Sequence, residues 1–267
     1  MRVGIVQMTS TDDLAANLSA AEALVAEAAH AGAAWVALPE NFAYLRREGT
    51  VFPCAQGLDG EIVAAVCAWA RHHGIWILGG SFPEAVADEP RVYNTSVLVS
   101  PEGEVVATYR KIHLFDVDLS AQGRSAYQES ASIAAGHEVV AAKTPFGGVG
   151  LSICYDLRFP ELYRALAAQD VRFLTVPSAF APQTGRDHWE VLLRARAVEN
   201  QCFVLAPAQF GQHSPTRTSY GRALVVDPWG IVLGVAPDHP CAFVVDCDLA
   251  AQDRMRASLP ALRHRRL

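Results

Sequence analysis

No two of the six cysteines (Cys54, Cys67, Cys154, Cys202, Cys241 and Cys247) stand at CxxC spacing. The chain also lacks the basic-then-apolar start of a secretion signal, because "MRVGIVQMTS" turns polar at once. Together these absences predict a cytoplasmic protein with free thiols rather than a disulfide framework. No uncharged stretch approaches membrane-spanning length, which argues against a helical span. No long low-complexity segment divides the chain. Neither sign of charge forms blocks: 22 Lys and Arg against 28 Asp and Glu leave a dispersed net charge of -6, which argues against a nucleic-acid surface. What the chain does have is apolar content, 51% over 267 residues, enough to bury a substantial core; residues 1–267 are read as one domain.

The patterning alternates between strands and helices. "VGIVQM" at 3–8 is strand-like, and Leu14, Leu18, Ala21, Val25 and Ala28 make a helical stripe across 13–29. "AWVALPE" at 34–40 returns to extended structure and ends at Glu40; a helix is expected over 60–73, then strands at 75–82, 92–100 and 104–115. In the second half "GGVGLSIC" ends at Cys154, and Pro160 opens a helix to about residue 169. "VRFLTVPSAF" at 171–180 is the next strand. Asp187 and Glu190 have capping-box spacing, with Trp189, Leu192, Leu193 and Val198 as the packing face of the helix that follows. "CFVLAPAQF" at 202–210 reads as buried, "DPWG" as a hairpin turn, and "CAFVVDCDL" at 241–249 as a late strand. This order predicts a layered α/β architecture.

Glu40, Lys111 and Cys154 each fall near the C-terminal end of an expected strand, where loops commonly build α/β active sites. Singly, a carboxylate or lysine is usually a solvated surface group, and an intracellular cysteine usually fills space. As a set they can do chemistry: a thiol attacks an electrophilic carbon, a carboxylate takes its proton, and an ammonium stabilises the developing anion. His113 and His188 lack a surrounding ligand set for zinc, so neither is expected to hold a metal, and the chemistry of the thiol, carboxylate and ammonium needs no metal or organic cofactor.

"LPENF" at 38–42, "YRKIHLFD" at 109–116 and "GLSICYDLRFPEL" at 150–162 resemble, in chain order, the three catalytic neighbourhoods of the nitrilase superfamily of carbon–nitrogen hydrolases. The resemblance runs over essentially the whole chain. It implies a four-layer α-β-β-α sandwich assembled as a homodimer or higher homo-oligomer, and a small-molecule amide as substrate. It assigns Glu40 as general base, Lys111 as oxyanion stabiliser, Cys154 as nucleophile, and Glu129 in "YQES" as a supporting acid that keeps Lys111 aimed. The Tyr155 backbone N–H is a candidate oxyanion donor. Arg158 is a candidate for a substrate carboxylate or for an internal pairing with Asp156; Phe180 is a candidate apolar wall and Arg186 a candidate anion contact. Residues 188–213 and 219–230 are most similar to the branch acting on deaminated glutathione, with the loops at 177–188 and 209–222 as walls and Arg186, Arg217 and Arg222 as anchors. The alternatives are an ω-amidase acting on 2-oxoglutaramate, a true nitrilase, and a non-catalytic interaction scaffold, against which the complete reactive set argues.

Overall fold

The computed structural model describes residues 1–47, 49–118 and 126–266, so most of the polar stretch preceding Glu129 lies outside the described residues. Two large sheets face each other, and helices cover both outer faces. The first strand, Arg2–Met8, shows why the sequence layers in this way. Val3 and Ile5 join the core that contains Val149 and Phe173 of the other sheet, whereas Val6 and Met8 join Ala21, Val25 and Ala28 of the outer helix. Strand Trp35–Ala37 divides likewise, Trp35 and Ala37 inward and Val36 outward. A strand buried on both faces has to be apolar at every position, which hides the period of two in a near-continuous hydrophobic run.

In the first sheet, Arg2–Met8, Trp35–Ala37 and Trp76–Leu78 run parallel, and Val92–Val99 closes on them antiparallel. On its other side Arg2–Met8 pairs antiparallel with Cys241–Asp246, from Arg2 opposite Asp246 to Gln7 opposite Cys241. The second sheet has parallel strands Gly147–Leu151, Val171–Thr175 and Phe203–Ala206 at its centre. Trp35 meets Phe173 edge-on across the sheet interface, with ring centroids 5.3 Å apart. Helices Leu14–His30 and Glu61–His73 cover the first sheet, and Pro160–Ala167 and Pro182–Asn200 the second, which completes the expected α-β-β-α layers. Gly4 permits the first of these contacts: a Cβ there would lie 2.8 Å from the Ala28 methyl. No helix among the described residues is long and apolar enough to cross a membrane.

Two local expectations change. The helix expected to start at Asp187 begins at Pro182, whose fixed φ and missing N–H suit a first turn. Asp187 therefore lies inside the helix, where it pairs with Arg186 instead of capping, and Val198 faces outward at 52% exposure. A further helix, Leu249–Ser258, follows the late strand; Asp248 caps it by accepting the Ala251 N–H at 2.9 Å.

Candidate active site

Glu40 lies three residues past Ala37, Lys111 directly follows strand Val105–Arg110, and Cys154 lies three residues past Leu151. Each reaches the site from a different strand end. Cys154 adopts a left-handed backbone (φ 49°), a conformation a non-glycine residue holds only when its surroundings demand it. Two bonds impose it. The Cys154 N–H donates to the Pro177 carbonyl at 3.0 Å, and the Ile153 N–H donates to the Asp156 carboxylate at 2.8 Å, which closes the turn. Asp156 is fully buried and also accepts from the Tyr109 hydroxyl (2.7 Å), the His113 N–H (3.0 Å) and His113 Nδ1 (2.7 Å). Since Tyr109 and His113 flank Lys111, this one carboxylate ties the lysine strand to the cysteine turn. The alternative pairing of Asp156 with Arg158 is therefore not made.

The structure brings Glu40, Lys111, Cys154 and Glu129 together. Lys111 Nζ donates to Glu40 Oε1 at 3.0 Å and to both Glu129 oxygens, each at 3.0 Å. Glu129 is itself fixed by the Phe115 N–H at 2.6 Å. Glu40 Oε1 also accepts from Asn94 Nδ2 at 2.9 Å and Oε2 from the Ala179 N–H at 2.9 Å, while the Cys154 thiol is hydrogen-bonded to the same carboxylate. Burial alone would raise the Glu40 pKa, but the Lys111 ammonium and the hydrogen bonds outweigh it and hold the group below its ordinary value. Lys111 stays charged despite burial because Glu129 and Glu40 flank it, which raises it well above the usual lysine range. Burial and the Glu40 charge push the Cys154 thiol well above its ordinary range, against the pull of Lys111. At rest, then, the proton sits on sulfur and the carboxylate beside it is ionised. Such a thiol is activated by general base during attack, not stored as a free thiolate.

The cluster opens into a cavity of about 460 Å³ whose walls include Tyr155, Arg158, Phe180, Thr184 and Arg217. Arg158 lies 5.4 Å from the Phe180 ring and 5.7 Å from the Tyr155 ring, and contacts His188 Nδ1 at 3.2 Å. The Tyr155 N–H stands in the first turn of the short 3₁₀ helix Cys154–Arg158, where no intrahelical acceptor exists for it. Arg186 does not reach the cavity: it is exposed and bound to Asp187. Arg222 is turned to Asp238, at 3.0 Å.

Sequence reasoning missed Asn94 and Gln209. Asn94 donates its side-chain amide to Glu40, and its carbonyl accepts the Lys111 N–H at 2.9 Å, so one residue aligns two. Gln209 donates to the Glu40 carbonyl at 3.0 Å. The available signal was an amide within each of two expected buried strands, where a polar side chain demands partners. Arg46, on the cavity wall, sits in a loop that no periodicity singles out.

A cysteine at a strained strand end, hydrogen-bonded to a buried carboxylate beside a doubly paired lysine in a four-layer sandwich, fits one class: a hydrolase of nitrilase-like fold. The family model described as carbon-nitrogen hydrolase matches residues 2–257. The deaminated glutathione amidase of a Synechocystis strain is 43% identical over 263 residues, covering 97% of this chain and 96% of that protein. The NitFhit protein of C. elegans superposes with a TM-score of 0.90 at 36% identity, covering 99% of this chain; the chain spans 65% of that longer protein. Saccharomyces cerevisiae Nit3 matches with a TM-score of 0.89 at 28% identity, covering 100% of this chain and 97% of that one. The chain belongs to the carbon–nitrogen hydrolase family of the nitrilase superfamily and is an amidase.

Proposed function

We propose that this amidase hydrolyses deaminated glutathione to 2-oxoglutarate and cysteinylglycine through a thioester on Cys154. The observation that carries the chemistry is the ionised Glu40 carboxylate bound to both the Cys154 thiol and the Lys111 ammonium. The substrate reading is supported by the 43% identity, over nearly the full length, to a protein of that activity. Glu40 takes the thiol proton as sulfur attacks the amide carbon, and Lys111 with the Tyr155 N–H receives the oxyanion. The carboxylic acid formed at Glu40 then protonates the leaving amine as the carbon–nitrogen bond breaks. Water attacks the thioester next, giving a proton to Glu40; carbon–sulfur cleavage frees 2-oxoglutarate, and the proton returns to sulfur. Glu129 holds Lys111, Arg158 binds the α-keto carboxylate and Phe180 forms the apolar wall. The residues act as one domain in a homodimer, a reading that rests on the family resemblance and is refuted by a monomer at every concentration in sedimentation equilibrium.

The test is side-by-side kinetics with deaminated glutathione and 2-oxoglutaramate. A higher kcat/KM for the former is expected, and the reverse order makes the enzyme an ω-amidase. Cys154→Ser should abolish turnover and thioester formation, read by mass spectrometry, without unfolding the protein.

A further inference from the structure

The two carboxylates that line the cavity, Glu40 and Glu129, are both engaged by Lys111. Three arginines also line it: Arg46, which donates to the Ser132 hydroxyl and the Thr50 carbonyl, and two others, Arg158 and Arg217. Arg158 contacts His188 Nδ1 at 3.2 Å, and the Arg217 guanidinium donates to the Arg46 carbonyl at 3.5 Å; neither forms an ion pair with a carboxylate among the described residues. The two come from separate parts of the chain: Arg158 from the cysteine turn, Arg217 from the turn that precedes strand Thr218–Tyr220. That turn is built to hold its position. The Ser214 hydroxyl accepts the Arg217 N–H at 3.1 Å, and the Arg217 carbonyl accepts the His213 N–H at 2.9 Å. His213 is buried, bonded to the Ser10 carbonyl at 2.8 Å and the Ser219 hydroxyl at 2.9 Å. Arg217 is therefore half-buried on a braced turn, and its charge reaches far enough to help hold Glu40 ionised. A guanidinium so placed loses little freedom when an anion arrives, and its planar fork matches a carboxylate.

We propose that Arg217 centres a second anion subsite, which takes a carboxylate on the leaving amine while Arg158 takes the one on the acyl half. The cavity then selects amides that carry a carboxylate on both sides of the scissile bond. This rests on the proposed substrate reading and deepens it, because deaminated glutathione ends its leaving half in a glycyl carboxylate and 2-oxoglutaramate has none.

The test compares deaminated glutathione with its C-terminal carboxamide, identical except for that one charge. Binding is measured calorimetrically to Cys154→Ala protein, and kcat/KM with the active enzyme. A charge-assisted bond predicts about 10- to 100-fold tighter binding of the acid, carried into kcat/KM through KM. In Arg217→Gln the acid-to-carboxamide ratio should collapse toward one, and Arg217→Lys should restore it in part, which separates a lost contact from a lost fold. Equal binding of acid and carboxamide by the unsubstituted site, a ratio that survives in Arg217→Gln, or binding of neither ligand overturns the subsite. A preference for 2-oxoglutaramate in the separate substrate comparison instead overturns the substrate reading, whatever the acid-to-carboxamide ratio.

Discussion

Replacing Asn94 with alanine removes one of the bonds that keep Glu40 a carboxylate, and the consequence is a shifted pH profile. The carboxylate accepts from Lys111 at 3.0 Å, Asn94 at 2.9 Å and the Ala179 N–H at 2.9 Å. A hydrogen bond to a charged acceptor is worth about 1.5–3 kcal/mol, which corresponds to about 1–2 pKa units. Since the Asn94 amide favours the ionised form, its loss raises the Glu40 pKa toward the ordinary carboxylate value. The base works only when ionised, so the acid limb of kcat/KM should move up by about 1–2 pH units while the basic limb stays in place. Stability should change little, by about 1 kcal/mol, because the buried Asn94 side-chain oxygen has no partner among the described residues, and deleting the amide removes that penalty as well. The Lys111 N–H keeps its backbone acceptor at position 94. The measurement is kcat/KM against pH for both proteins, alongside urea denaturation. An acid limb that stays put or moves down would show that Glu40 is not the base whose ionisation Asn94 supports.

Glu129→Gln leaves Lys111 and the Phe115 N–H competing for one oxygen, and should lower kcat by about 10- to 100-fold with a smaller change in KM in steady-state kinetics. Asp156→Asn turns an amide N–H₂ toward donors at Tyr109, His113 or Ile153, and should destabilise the fold by about 2–4 kcal/mol in urea, with slower alkylation of Cys154; an unchanged midpoint refutes the tie between lysine strand and cysteine turn. Gly80→Ala would place a methyl 2.0 Å from the Pro39 carbonyl oxygen at a backbone φ of 42°, and should cost at least about 3 kcal/mol and most of the activity through the displaced Glu40 loop.

Glu40, Lys111 and Cys154 were legible as one candidate set because each falls near the end of an expected strand and their three motifs resemble, in chain order, those of one family. The layered order was legible for the same reason. Helix Pro182–Asn200 was misplaced at its start because Asp187 and Glu190 imitate a capping box, whereas Pro182, five residues earlier, sets the first turn. Arg186 was a candidate anion contact from the resemblance alone, whereas its exposed side chain is paired with Asp187 and stands outside the cavity wall. Asn94 and Asp156 were missed as organisers because their partners are remote in sequence, at Glu40 for one and at Tyr109 and His113 for the other.

The pairing of Arg2–Met8 with Cys241–Asp246 bears on when the enzyme comes into being. A strand made long before its partner stays without one neighbour until residues near 246 have left the ribosome. Contacts of such long sequence separation form slowly, and the waiting edge of an apolar strand is a site for misplaced pairing. The helix-covered second sheet draws its strands from 141–235 and can pair internally sooner. Glu40 belongs to the half that waits and Cys154 to the half that does not. A ribosome-bound chain that already carries Cys154 should therefore show an ordinary, readily alkylated thiol until its final strand docks.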